Sequence, residues 1–266
     1  MDETTGTTST SGVARWSRLA ALGLLMVAAA SLIWLIAGAI WGLDLAESAV
    51  FLAPTLVVPS IAAFLVLRFG VWAKVVGIVV ALAGAAFLWF TIFGLFDPSS
   101  FFDFVGGLLV VPGVLIALVG CVRAIGAQRR GDLVPRREGG EARAINVIVA
   151  VVAVLAVVSG VITIASRSTA DASQADAEVA LHDFSFDPED GLSVTGGSTV
   201  YVENKDPFHH TFTIDDLDID VSFGPSSQEL VEIPAQPGTY ILYCRPHTAN
   251  PDDPGESDMA TTLTVG

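Results

Sequence analysis

Apolar and polar positions follow two different rules along this chain. Up to residue 166 they fall into long apolar blocks separated by short polar gaps, and beyond it they alternate in short runs broken by turn residues. Five blocks are free of charged residues: Leu19–Leu43, Ser48–Leu67, Val75–Phe96, Phe104–Val122 and Ile145–Ser166. A bilayer crossing takes about 20 apolar residues, so the pattern predicts five transmembrane helices. Pro54, Pro59 and Pro112 fall inside them, which membrane helices tolerate better than soluble ones. Trp16, Trp41 and Trp72 stand near span ends, where indole rings prefer the interface.

The gaps fix an orientation. Arg15 and Arg18 precede the first span, Arg68 and Lys74 separate the second from the third, and Arg123, Arg129, Arg130, Arg136, Arg137 and Arg143 lie between the fourth and fifth. The other two gaps, Asp44–Glu47 and Asp97–Asp103, carry no Lys or Arg. The positive-inside rule then places the amino terminus in the cytoplasm and, after five crossings, the carboxyl terminus outside. The first apolar run is longer than the roughly 7–15 residues of a signal-peptide core, so it is read as a retained helix.

From about Glu178 the alternation predicts strands at Val179–Phe186, Leu192–Val194, Thr199–Glu203, His209–Ile214, Ile219–Phe223, Glu229–Ile233, Thr239–Cys244 and Ala260–Val265. Breaks fall at Pro188–Gly191, Gly196-Gly197, Asp206-Pro207, Gly224-Pro225 and Gln236–Gly238. Short strands at this spacing argue for a β-sandwich. The expected organisation is a disordered cytoplasmic tail (1–14), a five-helix transmembrane domain (15–166), a small polar linker (167–177) and an extracytoplasmic β-domain (178–266), with α and β in separate domains.

Composition sharpens the division. All five Trp lie before residue 90, and all three Tyr and all four His lie after residue 180. From Ser168 onward 19 acidic residues face only Lys205 and Arg245, while the remainder is slightly basic. The acidity reads either as steering toward a basic partner, through Asp252, Asp253, Glu256 and Asp258, or as solvation in a salty habitat, where screening weakens steering. No nucleic-acid partner is expected. The spans contain no His and only Met26, so they lack the axial ligands of a haem and the soft ligands of a copper path. They read as an anchor or docking platform in the bilayer. Cys121 lies in an apolar run and reads as a small buried hydrophobe.

The candidate chemistry gathers near the carboxyl terminus. Tyr243-Cys244-Arg245-Pro246-His247 is preceded by His209-His210-Thr211 and followed by Met259. One thiolate, two imidazoles and one thioether make up the donor set of a blue-copper centre. Side chains two apart share a strand face, so His210 groups with the apolar Phe212 and Ile214, and His209 with Thr211 and Thr213. His210 is therefore expected inward and His209 toward solvent. His182 has no place in this set and reads as structural or exposed.

Residues 178–266 resemble the cupredoxins, specifically the plastocyanin- and azurin-like blue-copper domains. The resemblance rests on Gly197–Val200 leading into Val202–Asp206, then His210-Thr211, Pro237–Tyr240, Tyr243–His247 and Met259. It implies a Greek-key sandwich holding one copper ion, Cu(I) or Cu(II), with His210, Cys244 and His247 as trigonal ligands and Met259 as the weak axial one. It also implies that Thr211 supports the Cys-containing loop and that His247 serves as the electron's exit. The stretch from His247 to Met259 is longer than in plastocyanin-like members, acidic, and carries two prolines.

The expected function is one-electron transfer on the outer face of the cell membrane, without catalysis, exchanging electrons with a redox protein such as a cytochrome or oxidase. Copper storage, delivery or sensing is the competing class, and a role as the copper-bearing subunit of a respiratory complex is compatible with the first. Four His are too few for a multicopper oxidase, and no second Cys lies near Cys244 for a binuclear site.

Overall fold

A computed structural model of the chain describes residues 9–41, 45–89, 91–131, 135–137, 140–248, 253–256 and 259–266. Most of the predicted amino-terminal tail, parts of the loop between the last two long helices, and Asp252 and Asp258 of the acidic segment lie outside the described residues. The chain divides into two compact units, one helical up to Val158 and one that includes Ser159–Gly266.

The helical part contains α1 (Gly12–Trp41), α2 (Leu45–Arg68), α3 (Val71–Phe87), the short α4 (Thr91–Gly94), α5 (Phe101–Arg129) and α6 (Gly140–Ala165). A two-stranded antiparallel pairing joins β1 (Ser9–Ser11) to β2 (Pro135–Arg137). Helices here approach closely through small residues, as membrane helices do when packing rather than water drives association. A Cβ on Gly23 would stand 2.3 Å from the Gly113 carbonyl oxygen, and one on Gly120 would stand 2.5 Å from the Ala20 nitrogen, so α1 and α5 meet backbone to backbone. Ala20, Leu24, Ala62, Val66, Ala81, Ala117 and Cys121 join α1, α2, α3 and α5 in one buried cluster. The hydroxyls of Ser31 and Thr55 meet at 2.7 Å between α1 and α2. Cys121 is fully buried, as the sequence implies.

Among the described residues three helices are long and apolar enough to cross a membrane: Val13–Trp41, Phe101–Arg129 and Asn146–Ala165. The apolar stretch Leu52–Arg68 within α2, and α3 itself (Val71–Phe87), are shorter. The third predicted span therefore differs from the structure, because α3 stops at Phe87 rather than continuing to Phe96. Leu88 closes it with an N–H bond to the Gly84 carbonyl (2.9 Å), and the Leu88 carbonyl then accepts both the N–H (3.0 Å) and the hydroxyl (2.8 Å) of Thr91. A Thr side chain that satisfies a helix-end carbonyl competes with further helix, and the chain turns into α4. Lys74 sits in the first turn of α3, where its ammonium donates to the Phe69 carbonyl. Helix α6 exposes Val147, Val151, Val154, Val157, Val161 and Ile164, an apolar surface suited to lipid.

The β-domain has two sheets. The four-stranded sheet runs β4 (Ser185–Asp187), β3 (Ala177–His182), β6 (Thr199–Asn204), β9 (Gln228–Glu232). The five-stranded sheet runs β5 (Leu192–Val194), β11 (Ala260–Val265), β10 (Gly238–Tyr243), β7 (His210–Ile214), β8 (Ile219–Phe223). One core cluster draws on both sheets, including Leu181, Val200, Val202, Phe212, Ile214, Phe223, Leu242 and Leu263. The predicted strands return with ends shifted by a residue or so, except at Val179–Phe186. That run is split into β3 and β4 by a two-residue turn, Asp183-Phe184, with both residues at positive φ (53° and 57°). Nothing local announces it, since such turns favour Asn-Gly or Asp-Gly and here Phe stands in the glycine's place.

The polar segment before β3 lies against the domain. The Ser168 carbonyl accepts the Gln228 N–H (3.0 Å), and Asp176 and Thr199 exchange two hydrogen bonds. Because every residue of the core cluster lies between Ala177 and Val265, Ser168–Gly266 expressed alone is expected to fold. A β-type circular dichroism spectrum and dispersed amide resonances check this, and a chain that stays disordered or aggregates contradicts it.

A candidate metal centre

Register and turns bring the candidate residues together. Strands β10 and β11 pair antiparallel from Gly238↔Val265 to Tyr243↔Ala260, so the next residues out, Cys244 and Met259, meet as the ladder ends. The Cys244 N–H donates to the Met259 carbonyl at 3.1 Å. Strand β7 lies between β10 and β8, which buries all five of its residues, including Thr211 and Thr213 that alternation alone would have turned outward. Past Cys244 the chain enters a single 3-10 turn, Arg245–His247, with Pro246 inside it. This turn folds His247 back, and the Thr248 hydroxyl donates to the Cys244 carbonyl (2.8 Å).

His210 and Cys244 are both 0% exposed, Met259 is 1% exposed, and His247 is half-buried. The Cys244 Sγ stands 3.6 Å from His210 Nδ1 and 3.2 Å from His247 Nδ1. Among the described residues these three side chains form a group whose donor atoms all lie within 4.8 Å of one another. Met259 packs in the same core cluster as Cys244. His209 is half-buried, and its Nε2 bonds the Ser222 hydroxyl (2.9 Å) across β7 and β8, away from the group. His182 ends β3, its carbonyl accepting the Ser185 hydroxyl (2.8 Å).

Electrostatics prepare these groups for a cation. Burial opposes ionisation of the Cys244 thiol, but the two imidazoles outweigh it and bring its pKa down to about 5. Burial likewise disfavours a charged His210, yet hydrogen bonds to Asp206 and Cys244 hold its pKa up at about 9. The imidazoles thus favour ionisation of the thiol, and a cation that displaces the Nδ1 proton meets a ready ligand. A soft sulfur and two imidazole nitrogens at these separations suit one small transition-metal ion, with bonds of about 2.0–2.3 Å.

The loop is held by polar contacts that pattern reading anticipated only in part. Thr211 supports it as expected. Its N–H donates to Cys244 Sγ (3.3 Å), and its hydroxyl oxygen accepts the Arg245 N–H (2.9 Å). Arg245 reaches Asp215 (2.9 Å) and Asp220 (3.3 Å), and the Tyr243 hydroxyl donates to Asp215 (2.7 Å).

The roles of three further residues escaped sequence reasoning. Asp206, which the sequence placed at a chain break and at the end of the Val202–Asp206 piece of the resemblance without giving it a role, is fully buried and accepts the His210 Nε2–H at 2.8 Å. Its carboxylate also accepts the N–H groups of Asp183 (2.9 Å) and Phe184 (3.2 Å) in the β3–β4 turn. Burial acts to raise its pKa, but these donors hold it below the usual carboxylate value. Asn204 accepts the Asp206 N–H (2.9 Å) and donates to the Phe208 carbonyl (2.8 Å), fixing the loop that leads into β7. The turn in turn sets Phe184 edge-on to His210 (ring centroids 5.7 Å) and to His247 (5.1 Å). An Asp four residues before a candidate His was the available signal for Asp206, whereas nothing local marks Phe184.

Residues 152–253 match a family model described as a cupredoxin-like domain. The chain carries a cupredoxin-like domain. The matched span includes His210, Cys244 and His247 and ends ahead of Met259. Similar solved structures include a Cu-containing nitrite reductase from Thermus scotoductus SA-01, at 18% identity over 34% of this chain and 22% of that one, with a TM-score of 0.27. This chain thus spans under a quarter of the reductase. A purple cupredoxin from Nitrosopumilus maritimus is 18% identical over 34% of this chain and all of that one, TM-score 0.27. A mutant fern plastocyanin is 22% identical over 34% of this chain and 99% of its own, TM-score 0.26. No curated protein matches the sequence.

Thr211 yields a direct test of the loop. Thr211→Val keeps the shape and the backbone contact to sulfur but strands the Arg245 N–H, so it is expected to lower unfolding free energy by about 1–3 kcal/mol. Urea denaturation of the metal-free protein measures this, and an unchanged midpoint contradicts it.

Proposed function

We propose that this protein is a membrane-anchored electron carrier with one type 1 copper ion, held by His210, Cys244 and His247 and weakly by Met259. The observation that carries the reading is the buried Cys244 sulfur, flanked by two imidazole nitrogens at 3.6 and 3.2 Å. A type 1 copper ion, when bound there, supplies the one-electron Cu(II)/Cu(I) couple. The protein's part is to hold the donors. Strand β7, the end of β10 and the Arg245–His247 turn fix them in a packed core, so both oxidation states meet nearly the same geometry. His247 is the half-buried member of the set and the proposed exit for the electron.

On this reading the β-domain has the Greek-key winding of plastocyanin- and azurin-like proteins. The five apolar helices all cross the cell membrane, and the Arg-rich gap between the last two lies in the cytoplasm. The domain then works on the outer face, exchanging single electrons with a redox protein and turning over no substrate. Only His182 and His209 remain outside the proposed ligand set, too few for a second catalytic copper centre within this chain.

The deciding experiment is visible absorption of the purified protein titrated with Cu(II). An intense thiolate-to-copper band is expected, lost in Cys244→Ser and in His210→Ala and retained in His209→Ala. A folded protein that binds copper without this band would falsify the electron-carrier reading and favour copper storage, delivery or sensing.

A further inference from the structure

We infer that Asp206 is a positioning residue that sets the balance between the two oxidation states of the copper site, favouring Cu(II). The inference rests on the electron-carrier reading and adds to it a residue outside the ligand set.

The geometry starts from the histidine. A ring nitrogen that binds metal must present a lone pair, and the other nitrogen's hydrogen bond decides which one does. In His210 the Nε2–H points to the Asp206 carboxylate at 2.8 Å, leaving Nδ1 toward the Cys244 sulfur at 3.6 Å. A backbone carbonyl could fix the same tautomer. The carboxylate does so with a full negative charge, and it does so at 0% exposure. Water cannot screen that charge, so its effect on the neighbouring ion is retained.

Charge balance gives the direction. Cu(II), the Cys244 thiolate and the Asp206 carboxylate together are neutral, and one added electron leaves the buried group with a net charge of minus one. With a neutral residue at 206 the oxidised group would carry plus one and the reduced group none. Burial penalises net charge, so the carboxylate disfavours reduction. The couple takes up one electron from a reduced redox protein, or from a dye mediator in the test. No covalent bond within the protein changes and no proton moves, since Nε2–H stays on its carboxylate.

The same carboxylate has a mechanical duty that makes it hard to dispense with. Two residues at positive φ, one of them a Phe, hold a left-handed backbone that side chains with a Cβ disfavour. Their N–H groups both end on Asp206, which holds Phe184 against the two imidazoles. A purely structural role would stop there and leave the copper couple unmoved.

The test uses the full-length, copper-loaded protein in detergent, poised with dye mediators while the charge-transfer band is followed. Asp206→Asn keeps an acceptor of the same shape and removes the charge. The expected result is an unshifted band with a higher reduction potential, the ratio of Cu(I) to Cu(II) affinity rising by about tenfold or more. Should Asp206→Asn fail to load copper, Asp206→Ser, also neutral, carries the same comparison. Equal potentials in wild type and a loaded neutral variant overturn the inference and leave the carrier reading standing. A wild-type protein without the band removes both. In the wild-type Cu(I) form, nitrogen-15 resonances of histidine are expected to show one slowly exchanging Nε2–H, and a His210 protonated at Nδ1 instead overturns the inference.

Discussion

A thiolate in an apolar core is unstable unless positive charge or strong donors stand against it. That constraint organises the β-domain. The Cys244 sulfur lies at 0% exposure, and three donors from two segments stand against it. His210 arrives on β7, His247 on the turn after β10, and the Thr211 N–H donates to the sulfur from the neighbouring strand. His210 in turn requires an acceptor for its second nitrogen, and Asp206 requires donors for both its oxygens. The chain of needs ends at two backbone N–H groups in the β3–β4 turn. One buried sulfur thus accounts for a loop, a left-handed turn and the placement of an aromatic ring.

The helical part obeys a different constraint. Close shape fit between small residues is prominent in its association. Small residues on α1 and α5 permit backbone contact, and the Ser31–Thr55 hydroxyl pair links α1 to α2. The described part of this region offers few groups suited to redox chemistry, since its only free thiol, Cys121, is sealed in the packing. The chemistry of the chain is concentrated in the β-domain and the bulk of its apolar surface in the helices.

Much of the candidate site was legible in the sequence because its residues are close together or strongly patterned. Cys244 and His247 are three apart, and the alternation through Phe212 and Ile214 separated His210 from His209. The third apolar block shows the opposite case. Its composition stays apolar past Phe87, and the stop comes from the Leu88 carbonyl, taken by Thr91 before the helix can use it. The roles of Asp206 and Phe184 went unread for a related reason. Asp206 looked like an ordinary turn residue before a proline, and its burial follows only from strands that pack around it.

By itself the sequence determined the division into apolar blocks and alternating strands, the donor types near the carboxyl terminus, and the sign of the charge on each part. These are local properties, set by hydrophobic period and residue identity. Only the tertiary structure decided that the β10–β11 register sets Met259 beside Cys244, that a residue 34 positions upstream places its imidazole on the sulfur, and that a carboxylate from a loop anchors that imidazole from behind. Those contacts join segments distant in the chain. Their energies depend on burial, and burial exists only once both sheets have closed over the core.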